Sequence, residues 1–270
     1  MATSALGNQE MSPVTARQAL LLIAHGSSRY PDAARPLWRH VDAIRLETPD
    51  TQVEVGLLNS APKAADVLAT IPAPLVRVVP FFMETGYFTN VAIPRALGPD
   101  PRVRYCPPVG LHPAMADIVE NQGRAGCATM SVSPAEAAIL VVGHGSASAP
   151  GRTLAMHAHA ASLAERRIFG QVATACLEEP PLLPDALRLL AAWPVVVIGF
   201  FAGEGMHVRD DVPSAIAAEQ ARRGAGGPDV RLHGSVTDDP SLRRIIRAQA
   251  GIEPSELERD EREETKCSPI

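Results

Sequence analysis

Aromatic residues make up only 4% of this 270-residue chain, against 46% hydrophobic residues overall. A core drawn from it must rest on Ala, Val, Leu and Ile, which suits parallel strands buried on both faces. Basic clusters are also missing. The formal charge is −5, from 25 Lys and Arg against 30 Asp and Glu. Without a Lys/Arg block, nucleic acid is not expected as the main partner. Apolar runs are strand-sized and none is long enough to span a membrane. Residues 1–16 lack a positive stretch followed by an apolar one, which predicts no signal peptide. The four cysteines (Cys106, Cys127, Cys176, Cys267) form no CxxC pair, so zinc-ribbon and iron–sulfur spacings are absent. A reducing cytoplasm is the simplest compartment. Nucleotide and hydrolase motifs are missing too. Ser148 stands where a dinucleotide fingerprint beginning at Gly143 needs its third glycine, and no GxxxxGK[ST], HExxH or GxSxG occurs. Ser27 and Ser146 follow His-Gly without a nucleophile elbow around them.

What is present is a repeat. Leu21–Arg29 (LLIAHGSSR) matches Leu140–Ser148 (LVVGHGSAS) at an offset of 119 residues, Leu21 to Leu140. The same offset pairs Gln52-Val53 with Gln171-Val172, Pro62 with Pro181, Asp66 with Asp185, Phe81-Phe82 with Phe200-Phe201, Gly86 with Gly205, and Pro94 with Pro213. No gap is needed, so the chain is an internal duplication.

Each half reads as strands alternating with helices. Ala19–Ala24 and Ala138–Gly143 are apolar runs ending at His-Gly-Ser. Pro31–Glu47 and Gly151–Arg167 have helical spacing. Second strands are expected at Thr51–Leu57 and Gln171–Cys176, and third strands at Leu75–Phe82 and Pro194–Phe201. Helices are expected to begin near Pro94 and Pro213. The pattern predicts an α/β fold of two tandem, doubly wound parallel-sheet lobes. The expected division is a flexible N-terminus (1–16), a first lobe (17–120), a linker (121–136) around the polar, Gly-containing Asn121–Ser133, a second lobe (137–252) and a charged tail (253–270).

Ligands of open parallel sheets bind beyond the carboxyl ends of the strands. There the second half places His144, Glu178 and His207, after its first, second and third strands. The first half places His25, Asn59 and Phe88 at the matching positions. Two imidazoles and a carboxylate make a plausible open site for a divalent metal, and both groups accept protons near neutral pH. Plainer roles are open as well. Glu178 suits a helix start, and Asp210 and Asp211 suit caps. His40 and His159 match between the repeats but sit mid-helix, where a packing or surface role is expected.

In LLIAHGSS, VVGHGSAS, ACLEEPPLLPDAL and VVVIGFFAGEGMHVRDDVP the chain resembles the class II chelatases of the CbiX/SirB type, over residues 18–120 and 137–250. The resemblance implies a bilobal fold with a cleft. It implies insertion of cobalt or iron, with nickel a further possibility, into sirohydrochlorin, for cobalamin or sirohaem. It implies that His144, His207 and Glu178 bind the metal and take up protons, with His25 as an additional member. Asn59 and Phe88 depart from the pattern, so the first half is expected to hold a degenerate site. The polycarboxylate substrate would call for donors, for which Arg209, Arg152 and Arg29 are candidates, and Phe88 would offer an apolar wall. The metal is then a substrate, with neither a nucleotide nor an iron–sulfur cluster. No membrane partner is expected, and the pseudo-dimer would act as a monomer or pair into a homodimer. A non-catalytic metal or tetrapyrrole carrier and a chelatase for another ring are the alternatives.

Overall fold

The computed structural model describes residues 17–147, 153–203, 205 and 207–252. The expected flexible N-terminus, the charged tail and Arg152 lie outside the described residues. Each half forms a four-stranded, all-parallel sheet. The first contains β1 (Ala19–Ala24), β2 (Gln52–Leu57), β3 (Val76–Pro80) and β4 (Val103–Tyr105), in the order β2-β1-β3-β4. The second contains β5 (Ala138–Gly143), β6 (Gln171–Cys176), β7 (Val195–Gly199) and β8 (Val230–Ser235), in the order β6-β5-β7-β8. Chain order reverses between β1 and β3, and again between β5 and β7. These are the switch points at which such sheets open a crevice.

All six residues of β1 and of β5 are buried, and alternate side chains serve different layers. Ala19, Leu21 and Ile23 meet an outer core with α2 (Ala64–Thr70) and α3 (Ile93–Leu97). Leu20, Leu22 and Ala24 turn into an inner core shared by both halves. In β5, Ala138, Leu140 and Val142 face an outer core with α6 (Leu183–Leu189) and α7 (Val212–Arg223), while Ile139 and Val141 join the shared one. The shared core also holds α1 (Arg35–Glu47), α4 (Met115–Met130), α5 (Leu154–Glu165) and α8 (Leu242–Ala250).

The last helix of each half crosses to the other half's sheet. Helix α4 packs on β7, β8 and α5, while α8 packs on β3 and α1. This corrects the expectation of a linker at 121–136, since residues 121–130 continue α4. The glycines there serve close packing. A Cβ built on Gly126 would lie 2.3 Å from Val196 Cγ1, and one on Gly123 would lie 2.8 Å from Phe169 Cζ. Glu47 of α1 pairs with Arg243 and Arg247 of α8.

The matched mid-helix histidines fasten this boundary reciprocally. His40 of α1 hydrogen-bonds the Thr237 carbonyl at 2.9 Å, and His159 of α5 the Gly110 carbonyl at 2.7 Å. Both rings are buried, and each lies beside an equivalent phenylalanine, Phe81 or Phe200. Burial lowers both pKa values from the ordinary range, against the opposing pull of these carbonyl bonds. The unfolded chain therefore binds protons at higher pH than the folded one. Stability should be full above the unfolded value of about 6.5 and fall as pH drops below it toward the folded values. Urea midpoints should decline on acidification, and less steeply in a His40→Gln/His159→Gln variant. Equal slopes would mean that other groups carry the effect. Among the described residues no helix is long and apolar enough to cross a membrane.

Candidate active site

Both His-Gly-Ser segments leave the central strand through a turn that only glycine fits. Gly26 and Gly145 have φ of +68° and +74°, where a side chain is strained. A Cβ on Gly145 would also lie 2.8 Å from Cys176 Cβ and Glu179 Cγ. The turn aims each histidine at the carboxyl edge of its sheet, beside the segment that follows the second strand.

The two halves use this geometry differently. In the first, Asn59 Nδ2 lies 2.9 Å from His25 Nε2, and His25 Nδ1 lies 2.8 Å from the Gly26 carbonyl. The carbonyl can only accept, so Nδ1 carries the proton and Nε2 accepts from the amide. Phe88 closes edge-on over the ring with centroids 4.6 Å apart. The lone pair of His25 is thus committed to Asn59. In the second half, His144 Nδ1 lies 3.2 Å from the Gly145 carbonyl and 3.6 Å from Glu178 Oε2. Both neighbours are acceptors, so Nδ1 again carries the proton and the lone pair is on Nε2. Both side chains are about half exposed, at 49% for His144 and 45% for Glu178. A carboxylate behind an imidazole fixes its tautomer and ring orientation.

His207 and Phe88 open equivalent π-helical turns, His207–Asp211 and Phe88–Ala92, which run straight into α7 and α3. The expected helix starts near Pro213 and Pro94 are therefore preceded by a wider turn. A proline ring clashes with the carbonyl four residues earlier in a regular α-helix, and the wider turn moves that carbonyl aside. The His207 side chain is outside the description. Among the described residues no three His, Cys, Asp or Glu side chains form a metal-sized cluster. The structure brings His144 and Glu178 together and sets the His207 backbone after β7, across the switch point from His144.

A cavity of about 480 Å³ lies between the halves, lined by Phe82, Glu84, Tyr87 and Phe88 of the first and His144, Ser146, Thr153 and Phe200 of the second. Phe82 and Phe88 stack with centroids 5.9 Å apart, and Tyr87 meets Phe88 edge-on at 5.7 Å. Arg209 is exposed. Arg29 is also exposed and lies over the Tyr30 ring at 5.5 Å. Sequence reasoning missed Glu84, Thr153 and Glu179. Glu178 and Glu179 are adjacent acids of like type, and only the fold separates an exposed one from one that is 4% exposed.

Comparisons with known proteins agree with this architecture. The model of the CbiX family matches residues 19–125 and 138–251. A probable sirohydrochlorin cobaltochelatase of Halobacterium salinarum is 28% identical over 221 residues, which is 73% of this chain and 75% of its own. A multi-domain protein of Deinococcus radiodurans, with structural similarity to chelatases and two additional novel domains, superposes with a TM-score of 0.76 at 29% identity. The match covers 87% of this chain but 55% of that protein's length. SirB of Bacillus subtilis in complex with cobalt superposes with a TM-score of 0.67 at 17% identity, over 87% of this chain and 94% of its own. At that identity the likeness is one of fold.

Proposed function

Since the chain belongs to the CbiX family, we propose that it inserts a divalent metal, Co²⁺ or Fe²⁺, into sirohydrochlorin, and that the second half carries the chemistry. The observation that supports this most is the contrast between the two histidine turns. In one the imidazole lone pair is held by an amide. In the other a carboxylate stands behind the ring on the protonated side.

Insertion asks two things of the protein. A metal must be held loosely enough to be given up, and two pyrrole N–H protons must be accepted. His144 supplies the Nε2 lone pair for either task. Glu178 stabilises the imidazolium formed when that nitrogen takes a proton. His207, on the first turn after β7, adds the second imidazole. Three ligands at most leave the coordination sphere open, so transfer to the ring nitrogens competes with retention. The first half serves as the wall. Phe88, with Phe82 and Tyr87, offers an apolar face to the macrocycle, while Arg209, Arg29 and Arg152 pair with its carboxylates. The fused halves frame this cleft within one chain, so no second subunit is needed to complete it.

The direct test is to incubate the protein with sirohydrochlorin and Co²⁺, Fe²⁺ or Ni²⁺ and follow the absorbance of the metallated ring. Acceleration above the spontaneous rate is expected with Co²⁺ or Fe²⁺. No acceleration with any metal would overturn the enzyme reading and leave a carrier in its place.

A further inference from the structure

Glu84 belongs to the first half, yet its carboxylate ends on the second. Its Oε1 accepts the backbone N–H groups of Ala155 at 3.0 Å and Met156 at 3.2 Å, and its Oε2 accepts that of Ala155 at 3.2 Å. These donors lie in the first turn of α5, where N–H groups have no partner within the helix and a negative charge is favoured. Just before α5, the buried Thr153 donates its hydroxyl to Oε1 of the buried Glu179. Glu179 lies against the His144–Gly145 turn, as the crowding at Gly145 shows. It is also joined through the chain to Glu178, whose carboxylate faces His144. A path of hydrogen bonds and short chain links therefore leads from Glu84 through the start of α5, Thr153 and Glu179 to the His144–Glu178 pair.

The duplication supplies an internal comparison. The counterpart of Glu84 is Gly203, where even a Cβ would lie 2.5 Å from the Ala33 carbonyl oxygen. The counterpart of Ala155 is Pro36, which has no N–H to give. A carboxylate at position 203 would have neither room nor that donor. The half whose histidine is tied to an amide is thus also the half in which, among the described residues, the first helix receives no carboxylate from the position equivalent to Glu84.

The geometry points to Glu84 as a positioning residue that acts across the lobe boundary on the metal-handling pair His144 and Glu178; this rests on the reading of that pair given above. Burial pushes the Glu84 carboxyl up, the α5 amides pull it down, and the nearby Glu179 charge raises it again. Glu84 also lines the cleft, so the restraint is applied where the substrate would enter.

The test uses the full chain, Co²⁺ alone as the probe, and the visible ligand-field absorption of the bound ion. Glu84→Ala should weaken Co²⁺ binding by about tenfold, as loss of a supporting partner behind metal ligands does, and should shift the absorption bands. Glu84→Gln keeps an acceptor oxygen for Ala155 and should recover part of both, with a thermal midpoint near that of the wild type. Unchanged affinity and spectrum in both variants, even with a lowered thermal midpoint in Glu84→Ala, would overturn the proposal and leave Glu84 a fastening between lobes. A Co²⁺ signal that survives His144→Ala would overturn the reading of the pair itself, and the role of Glu84 with it.

Discussion

Replacing His144 with alanine is expected to lower catalysed metal insertion by at least about a hundredfold, the scale of a lost acid–base group, whereas His25→Ala should cost no more than a few fold. The difference follows from the side chains beside the two rings, an amide and a phenyl ring at His25 and a carboxylate at His144, since the two residues occupy equivalent turns. His25 Nε2 already accepts from Asn59, and its ring is covered edge-on by Phe88. His144 carries its lone pair on Nε2 because Nδ1 faces the Gly145 carbonyl and the Glu178 carboxylate. His207→Ala should be as damaging as His144→Ala, because it removes the second imidazole. Initial rates of sirohydrochlorin metallation measure all three. Equal losses from His25→Ala and His144→Ala would show that the two halves share one site.

Ending the chain after Pro240, which removes α8, is expected to unfold the first half as well as the second. Leu242, Ile245, Ile246 and Ile252 are buried in the shared core, and α8 lies on β3 and α1 of the first half. Burying such a side chain stabilises by roughly 1.5–3 kcal/mol, so the four together amount to about 10 kcal/mol. That rivals the whole folding free energy of a domain. Circular dichroism with urea titration should show no cooperative transition in the truncated chain. A surviving cooperative transition from an intact first half would contradict the exchange of helices.

Much of the architecture was legible in the residues. The apolar runs of β1 and β5 fall at the expected bounds, Ala19–Ala24 and Ala138–Gly143, because a strand buried on both faces has no polar interruption. The 119-residue offset also anticipated that the halves share one topology. The crossing of α4 and α8 was not legible. Periodicity tells which face of a helix is apolar but not whose sheet receives it, and Gly123 and Gly126 read as part of a linker until Phe169 and Val196 are seen against them. The bonds of His40 and His159 to Thr237 and Gly110 escaped notice for the same reason, because their partners are carbonyls, which every residue has. Within the site, sequence placed His144 and Glu178 at neighbouring strand ends, and they lie 3.6 Å apart. It carried no sign of Glu84, whose partners are backbone amides in the other half and whose repeat counterpart is a glycine.

On the proposed reading, the duplicated chain keeps one metal-handling site, in its second half. Equilibrium titration of the tetrapyrrole-free protein with Co²⁺, followed by the visible absorption of the bound ion, tests this most directly. The account predicts one ion per chain, lost in His144→Ala and kept in His25→Ala. Two ions per chain, or loss of the ion in His25→Ala alone, would contradict it.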